Sequence, residues 1–273
     1  MTRIQDKFDL AGRVAFVTGG AGLLGTEFCR TLAEAGAAVV VADVDVAAAE
    51  RVAKALSDSG YQAAGYGLDV TQAESTREAV NLAFSRFGRL DILVNSAALD
   101  PKVSSEGSVR DTSSFESYSL GAWKAALEVN LTGMFLATQA AVKPMKEQGK
   151  GSIINICSTY GLMAPDQRIY QKPGQLPQYK PVYYSVTKAG VLGFTRYLAA
   201  YYAGTEIRVN ALTPGGVYNG QDEEFVKHYS YRTIMGRMAR KDEMNGGLLF
   251  LASDASSYMT GANLVIDGGW TAW

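Results

Sequence analysis

Short apolar runs bounded by turn residues alternate along this chain with helix-like stretches. Arg13-Val-Ala-Phe-Val-Thr18, Ala38-Val-Val-Val-Ala42, Leu90-Asp-Ile-Leu-Val-Asn95 and Ser152-Ile-Ile-Asn-Ile156 read as strands, and Ile207-Arg-Val-Asn-Ala-Leu212 and Asn263-Leu-Val-Ile-Asp267 continue the series. Their largely apolar composition suits parallel strands covered on both faces. Between them, residues 24–35, 46–58, 73–87, 121–148, 184–203 and 240–253 carry helical patterns. Alternation of this kind implies right-handed crossovers and a doubly wound parallel α/β sheet, with about seven strands and helices on both faces. No repeat, low-complexity tract or linker marks a second unit, so residues 1–273 are expected to form one Rossmann-type domain.

Two stretches break the rhythm. Residues 97–119 are polar and serine-rich, and residues 164–183 carry Pro165, Pro173, Pro177 and Pro181 among tyrosines and basic side chains. Each follows a strand and should sit at the carboxyl edge of the sheet, where open α/β folds bind ligands. Loops this long in one domain are often binding loops or lids, and residues near 218–235 are read as a third insertion.

Composition narrows the possibilities. Lys plus Arg (26) nearly balance Asp plus Glu (27), which gives no reason to propose nucleic acid or an acidic membrane as partner. No apolar stretch is long enough to span a bilayer, and the first residues lack the apolar core of a signal peptide, so the cytoplasm is the expected location. Two cysteines and one histidine leave neither a disulfide framework nor a zinc cluster, and no metal site is expected. Whatever chemistry occurs here is not expected to rest on His228.

The chemistry-bearing residues fall in two groups. Thr18-Gly-Gly-Ala-Gly-Leu-Leu-Gly25 sits where the first strand hands over to the first helix. There Gly19 makes the tight turn, Gly22 lets backbone approach a pyrophosphate, and Gly25 permits close helix–strand packing; the phosphates rest on the helix N-terminus. Eighteen residues after Gly25, Asp43 ends the second strand. A carboxylate there accepts the ribose hydroxyls and repels a 2′-phosphate, and its neighbour Val44 offers no positive charge, so NAD is expected over NADP. Further on, Tyr184 and Lys188 lie four apart; on a helix they share a face, where an ammonium favours the phenolate and lowers the tyrosine's pKa. That makes an acid/base for an alcohol oxygen.

Taken together, Thr18 to Gly25, Asp69-Val70, Asn95-Ser-Ala-Ala98, Asn130, Ser158, Tyr184 to Lys188, Pro214-Gly-Gly-Val217 and Thr260-Gly…Asp267-Gly-Gly269 resemble the short-chain dehydrogenase/reductase family from end to end. The resemblance implies that Tyr184 is the proton donor and acceptor. Lys188 would lower its pKa and hydrogen-bond the nicotinamide ribose. Ser158 would hold the substrate oxygen, and Asn130 would anchor a water in a proton relay. It also implies contacts to NAD from Gly19, Gly22, Leu24 and Gly25, from Asp43, and from Asp69 and Val70 flanking the adenine. Asn95 and Ala97 would border the adenosine, while Pro214, Gly215, Val217 and Asn219 would meet the carboxamide. The glycine spacing is that of the extended, nucleotide-sugar-modifying branch, but the length and the catalytic set are those of the compact branch, which we adopt. Asn95-Ser-Ala-Ala98 replaces the usual Asn-Asn-Ala-Gly, and Asn219 stands where a threonine is usual.

The gap between Ser158 and Tyr184 is wider than usual, which places the 164–183 loop over the active site. Arg168, Lys172 and Lys180 could meet a carboxylate or phosphate, and Tyr170 or Tyr179 could stack on a sugar ring. With the ending Gly-Gly-Trp-Thr-Ala-Trp273, this loop is similar to those of bacterial surface-sugar reductases and gluconate-type dehydrogenases. The expected function is therefore NAD-dependent interconversion of a secondary alcohol and a ketone on a polyol, sugar acid or activated sugar. An NAD-retaining lyase or epimerase and a non-catalytic dinucleotide-binding protein are the alternatives. Relatives usually assemble as homotetramers (or homodimers) through helices corresponding to 121–148 and 184–203. Trp270 and Trp273 are costly to expose, so each should pack at a subunit interface or within its own subunit.

Overall fold

Alternate side chains of the central strands enter two separate apolar layers. The computed structural model describes residues 3–100, 114–172, 174 and 176–273. Strands β1 (Val14–Thr18), β2 (Ala38–Asp43), β3 (Ala63–Gly67), β4 (Ile92–Asn95), β5 (Lys150–Ile156), β6 (Glu206–Pro214) and β7 (Asn263–Ile266) form one parallel sheet in the order β3-β2-β1-β4-β5-β6-β7. The helices are α1 (Leu23–Glu34), α2 (Val46–Asp58), α3 (Ala73–Phe87), α4 (Leu120–Leu127), α5 (Gly133–Gln148), α6 (Val182–Tyr201), α7 (Glu223–Arg232) and α8 (Asn245–Ala252). Ala15, Val17, Val39, Val41, Ile92 and Val94 pack against α1, α2 and α8. Their neighbours Val14, Phe16, Val40 and Leu93 pack against α3, α5 and the end of α6. The period of two along a strand thus feeds both faces. Side chains as fully buried as Ile92, Leu93 and Val94 each contribute about 1.5–3 kcal/mol.

The fold class, the parallel sheet and its two helical layers are as the sequence predicts. Strand β3 is the one the pattern does not reveal, because Ala63-Ala-Gly-Tyr-Gly67 lacks an apolar β-branched run. Its glycine has a packing reason: a Cβ on Gly65 would lie 2.7 Å from the Ala49 carbonyl carbon, so α2 can cross only over a bare backbone. Helix α7 lies inside the stretch read as an insertion; only Tyr229 is buried on it, which weakens the apolar signal, but Asp222 caps it by accepting from the Phe225 N–H at 3.1 Å. The helix expected over 121–148 is divided: α4 and α5 are joined by a π-helical turn at Glu128–Thr132, with Asn130 buried inside it. Such turns are frequent at functional sites.

Strand order reverses between β1 and β4, opening a crevice at the carboxyl ends of both. Among the described residues, no helix is long and apolar enough to cross a membrane and no group of three or more His, Cys, Asp or Glu could hold a metal ion.

Candidate active site

The glycine turn sits at the mouth of that crevice. Gly19 has a φ of +63°, and a Cβ there would lie 2.8 Å from the Ala97 Cα. The Thr18 hydroxyl accepts from the Ser96 and Ala97 N–H groups at 3.1 Å each, tying the exits of β1 and β4 together. Gly25 is the most confined: its Cβ would fall 2.0 Å from the Gly19 carbonyl oxygen. Gly22, assigned the backbone approach, is the N-cap of α1 and provides no side-chain cap. The N–H groups of the first turn therefore face the crevice without a capping acceptor, as an anion site requires, while half-buried Leu24 packs into the core. These bare backbones and uncapped donors fit a dinucleotide's pyrophosphate.

Asp43 ends β2 beside the same turn. Its carboxylate accepts from the Ala21 N–H and the Asp45 N–H, each at 3.1 Å, one on each oxygen. A carboxylate offers about four lone-pair sites, so two remain for hydroxyl donors. Asp69 accepts from Thr71 N–H at 2.9 Å and Thr71 Oγ1 at 2.7 Å, ordering the turn after β3. Val70 is buried, and its side chain packs so closely on Gly133 that a Cβ there would lie 2.6 Å from its Cγ2.

Asn95, assigned to the wall of the adenosine pocket, turns its side chain inward. It is 2 % exposed, donates to Thr138 Oγ1 at 2.9 Å and Asn155 Oδ1 at 2.8 Å, and acts as a clamp between β4, β5 and α5. Half-buried Ala97 borders the turn through its backbone. On the opposite side of the crevice, Pro214 ends β6, and Gly215 donates to the Ile266 carbonyl at 2.8 Å. Val217 bridges to Ala239, and exposed Asn219 follows. Tyr229, which the sequence does not single out, buttresses this segment by accepting from the Gly216 N–H at 2.5 Å.

The catalytic candidates do converge. Ser158, Tyr184, Lys188 and Asn130 are all buried. Ser158 follows β5, accepts from the Tyr160 N–H at 3.3 Å and lies close enough to Tyr184, near the start of α6, to act on its phenol. Lys188, one turn further along, donates to the Ile156 carbonyl at 2.9 Å, using one of its three donors. Asn130 accepts from the Leu99 N–H at 2.7 Å and donates to Leu99 O and Thr187 Oγ1, each at 3.2 Å. Its side chain thus binds the segment after β4 to α6, and a relay water would rely chiefly on backbone here.

The electrostatics depart from the expected lowered tyrosine. Burial pushes Tyr184 well above its ordinary value, the Asp100 carboxylate adds to this, and the Ser158 hydroxyl opposes it. Burial also pushes Lys188 down, because an ammonium out of water loses its hydration. Among the described residues, the nearest cation to the Tyr184 ring is instead Lys180, whose Nζ lies 4.0 Å from the ring centroid against 5.7 Å for Lys188.

The 164–183 segment forms a 3-10 turn at Gln167–Tyr170 and covers Tyr184, although part of it lies outside the described residues, as do residues 101–113 of the 97–119 loop. Its three cations, expected to meet a substrate anion, are paired within the chain: Arg168 with Asp166 at 2.7 Å, Lys172 with Asp222 at 3.0 Å and Lys180 with Asp100 at 2.5 Å. The Arg168 guanidinium holds the Asp166 carboxyl down to about 2. Tyr170, expected to stack on a ring, is buried and donates to Tyr160 Oη at 2.9 Å, while half-buried Tyr179 lines a cavity of about 680 Å³ outside α6. Burial pushes Tyr160 up to about 12. Tyr160 meets Tyr184 edge-on at 6.4 Å and Trp270 at 6.3 Å, and Trp270 stacks on Tyr229 at 4.2 Å. Trp270 is therefore packed within its own subunit, at 1 % exposure, and Trp273 donates its indole N–H to the Arg232 carbonyl at 3.0 Å.

Comparison with known proteins agrees with this fold. The profile of a family described as Enoyl-(Acyl carrier protein) reductase matches residues 20–271. The cis-4-hydroxycyclohexanecarboxylate dehydrogenase of Sinomonas cyclohexanicum is 37% identical over 267 residues, covering 96% of this chain and 98% of that protein. The 3-alpha-(or 20-beta)-hydroxysteroid dehydrogenase of Mycobacterium tuberculosis is 39% identical over 263 residues, covering 96% of this chain and 91% of its own. The crystal structure of a gluconate 5-dehydrogenase from Burkholderia cenocepacia, in complex with NADP and tartrate, superposes with a TM-score of 0.87 at 32% identity, covering 99% of this chain and 100% of that one.

Proposed function

The chain belongs to the short-chain dehydrogenase/reductase family of oxidoreductases, and from that premise we propose that it is a cytoplasmic enzyme that interconverts a secondary alcohol and a ketone on a polar substrate, with NAD as cofactor. The observation that carries the reading is the gathering of Ser158, Tyr184 and Lys188 at the carboxyl edge of the sheet, beside the glycine turn. NAD supplies the acceptor or donor of the hydride at the carbinol carbon. Gly19 to Gly25 would hold its pyrophosphate, Asp43 its adenosine ribose, and Lys188 the second ribose. The Ser158 hydroxyl positions the substrate oxygen. Tyr184 Oη takes the hydroxyl proton as an alcohol is oxidised and returns it as a ketone is reduced. Lys188 supports the charged phenolate, and Asn130 keeps α6 in place through Thr187.

Support for a polyol, sugar acid or hydroxy acid comes from the hydroxy-carboxylate and gluconate relatives. A second reading, a bulkier cyclic alcohol, draws on the wall of Tyr160, Tyr170, Tyr229 and Trp270 and on the hydroxysteroid relative. NADH formation at 340 nm across polyols, sugar acids, hydroxycyclohexanecarboxylates and hydroxysteroids decides between them. Turnover confined to the last class would overturn the polar reading, and turnover with none, together with tightly retained cofactor and no net NADH change on a nucleotide sugar, would overturn the dehydrogenase reading in favour of a lyase or epimerase.

NAD preference rests on Asp43. The kcat/KM with NAD is expected to exceed that with NADP by at least about 100-fold, and Asp43→Ser should erase most of the difference. Equal use of both cofactors by the unaltered chain would remove the argument. A homotetramer is proposed through α4–α5 and α6, whose Phe135, Val186, Tyr197 and Tyr201 are 47, 44, 65 and 65 % exposed. Light scattering should return about four times the 29.2 kDa chain mass.

A further inference from the structure

We propose that Lys180 and Asp100 form a second charge control on Tyr184, in which the Lys180 ammonium over the ring favours the ionised phenol and Asp100 sets how strongly it does so. The inference rests on the reading of Tyr184 as the acid/base. Lys180 enters from the segment that precedes α6, and its side chain is only 10 % exposed. Its backbone is fixed independently of that side chain. The N–H donates to Gln167 Oε1 at 2.8 Å, and the carbonyl accepts from Gln167 Nε2 at 3.3 Å. Pro181 then leads directly into α6, so the ammonium is delivered onto the ring face rather than left to wander in solvent.

An ammonium 4.0 Å from a ring centroid is attracted to the electron-rich face. A phenolate ring is richer still than a phenol, so the same contact strengthens when the proton leaves. Asp100, at 2.5 Å from Lys180 Nζ, works in the opposite sense. It neutralises part of the ammonium's field and places its own negative charge near the phenol. Among the described residues, the other groups facing Tyr184 are Cys157 and Tyr160 after β5, both neutral at working pH, and Lys188 on its own helix. Lys188 is further from the ring and already bonded to Ile156 O. The two charges after β4 and before α6 are therefore the adjustable pair.

The test is the pH profile of kcat/KM for oxidation of whichever alcohol turns over, where activity rises as Tyr184 loses its proton. Lys180→Met keeps the stem and removes the charge, and it should move the rising limb up by about 0.5–1 pH unit. Lys180→Arg should leave the limb in place, and Asp100→Asn should move it down. The exposed position of Asp100 keeps this last variant informative even if Lys180→Met folds poorly. The same midpoints should be read without a substrate from [13Cζ]tyrosine NMR of the NAD-bound chain, following the resonance that Tyr184→Phe removes. An unmoved limb in Lys180→Met, or shifts of the same sign in Lys180→Met and Asp100→Asn, overturns the proposal. So does a raised KM with an unmoved limb, which would make Lys180 a substrate contact. Activity persisting in Tyr184→Phe would instead overturn the acid/base reading beneath it.

Discussion

Tyr184→Phe is expected to lower kcat by at least about three orders of magnitude and to leave the dissociation constant for NAD within about threefold. The change deletes one oxygen and keeps the ring, so the packing of Tyr184 against Tyr160 and beneath Lys180 survives. What disappears is the group proposed to exchange a proton with the substrate oxygen, together with its interaction with Ser158. Burial helps to make the loss large: with Tyr184 at 9 % exposure and Ser158 at 9 %, bulk water is a poor substitute for the missing acid. Stopped-flow turnover combined with calorimetric NAD titration checks both halves. A kcat within tenfold of the parent enzyme would remove Tyr184 from the mechanism.

Gly25→Ala should be the most damaging single methyl in the chain. Its Cβ would meet a backbone carbonyl oxygen at 2.0 Å, with the Gly20 Cα at 2.9 Å, and backbone cannot swing aside as a side chain can. Relief requires the first turn of α1 to lift from the Gly19–Gly20 turn, moving the uncapped N–H groups that face the crevice. We expect a loss of more than about 3 kcal/mol of stability, seen as a fall in Tm of roughly 6–10 °C, and NAD affinity reduced by at least about 100-fold. Gly22→Ala is the control. There the Cβ would sit 3.2 Å from the same oxygen at a φ of −73°, a conformation any residue adopts, and the effect on Tm should be a few degrees at most. Equal Tm values for the two variants would refute the packing argument.

The sheet, its direction and the residues at its carboxyl edge were legible because they depend on local pattern. Fully buried strands need continuous apolar runs, and a dinucleotide turn needs glycines followed by an acid at the next strand's end. Strand β3 escaped since its residues are chosen for the close crossing of α2 rather than for strand propensity. Helix α7 escaped because its polar surface hides a single anchoring tyrosine, although Asp222-Glu-Glu224 was an available start signal. The orientation of Asn95 was less legible for a different reason: a motif states that an asparagine is required, not which way it points, and here it turns inward to Thr138 and Asn155. The charges of the 164–183 segment show the same limit. Arg168, Lys172 and Lys180 stood out as free cations because Asp166, Asp222 and Asp100, their partners, are not all close in sequence. Ionisation of Tyr184 is still less visible from spacing, since burial and a carboxylate from another segment outweigh the lysine four residues away.

If Asp43 holds the adenosine ribose as proposed, its hydrogen bond from the Ala21 N–H gives one side chain two duties, steadying the glycine turn and meeting the ribose. On that reading, any lineage of this protein drifting toward a phosphorylated cofactor would first have to replace the carboxylate that makes this bond. A lone change to alanine would loosen the turn before any new charge arrived to reward it. Serine, with a hydroxyl still able to accept from Ala21, offers the gentler first step, and a basic residue in place of Val44 the natural second. The order in which those two substitutions can accumulate is thus written into a single 3.1 Å contact.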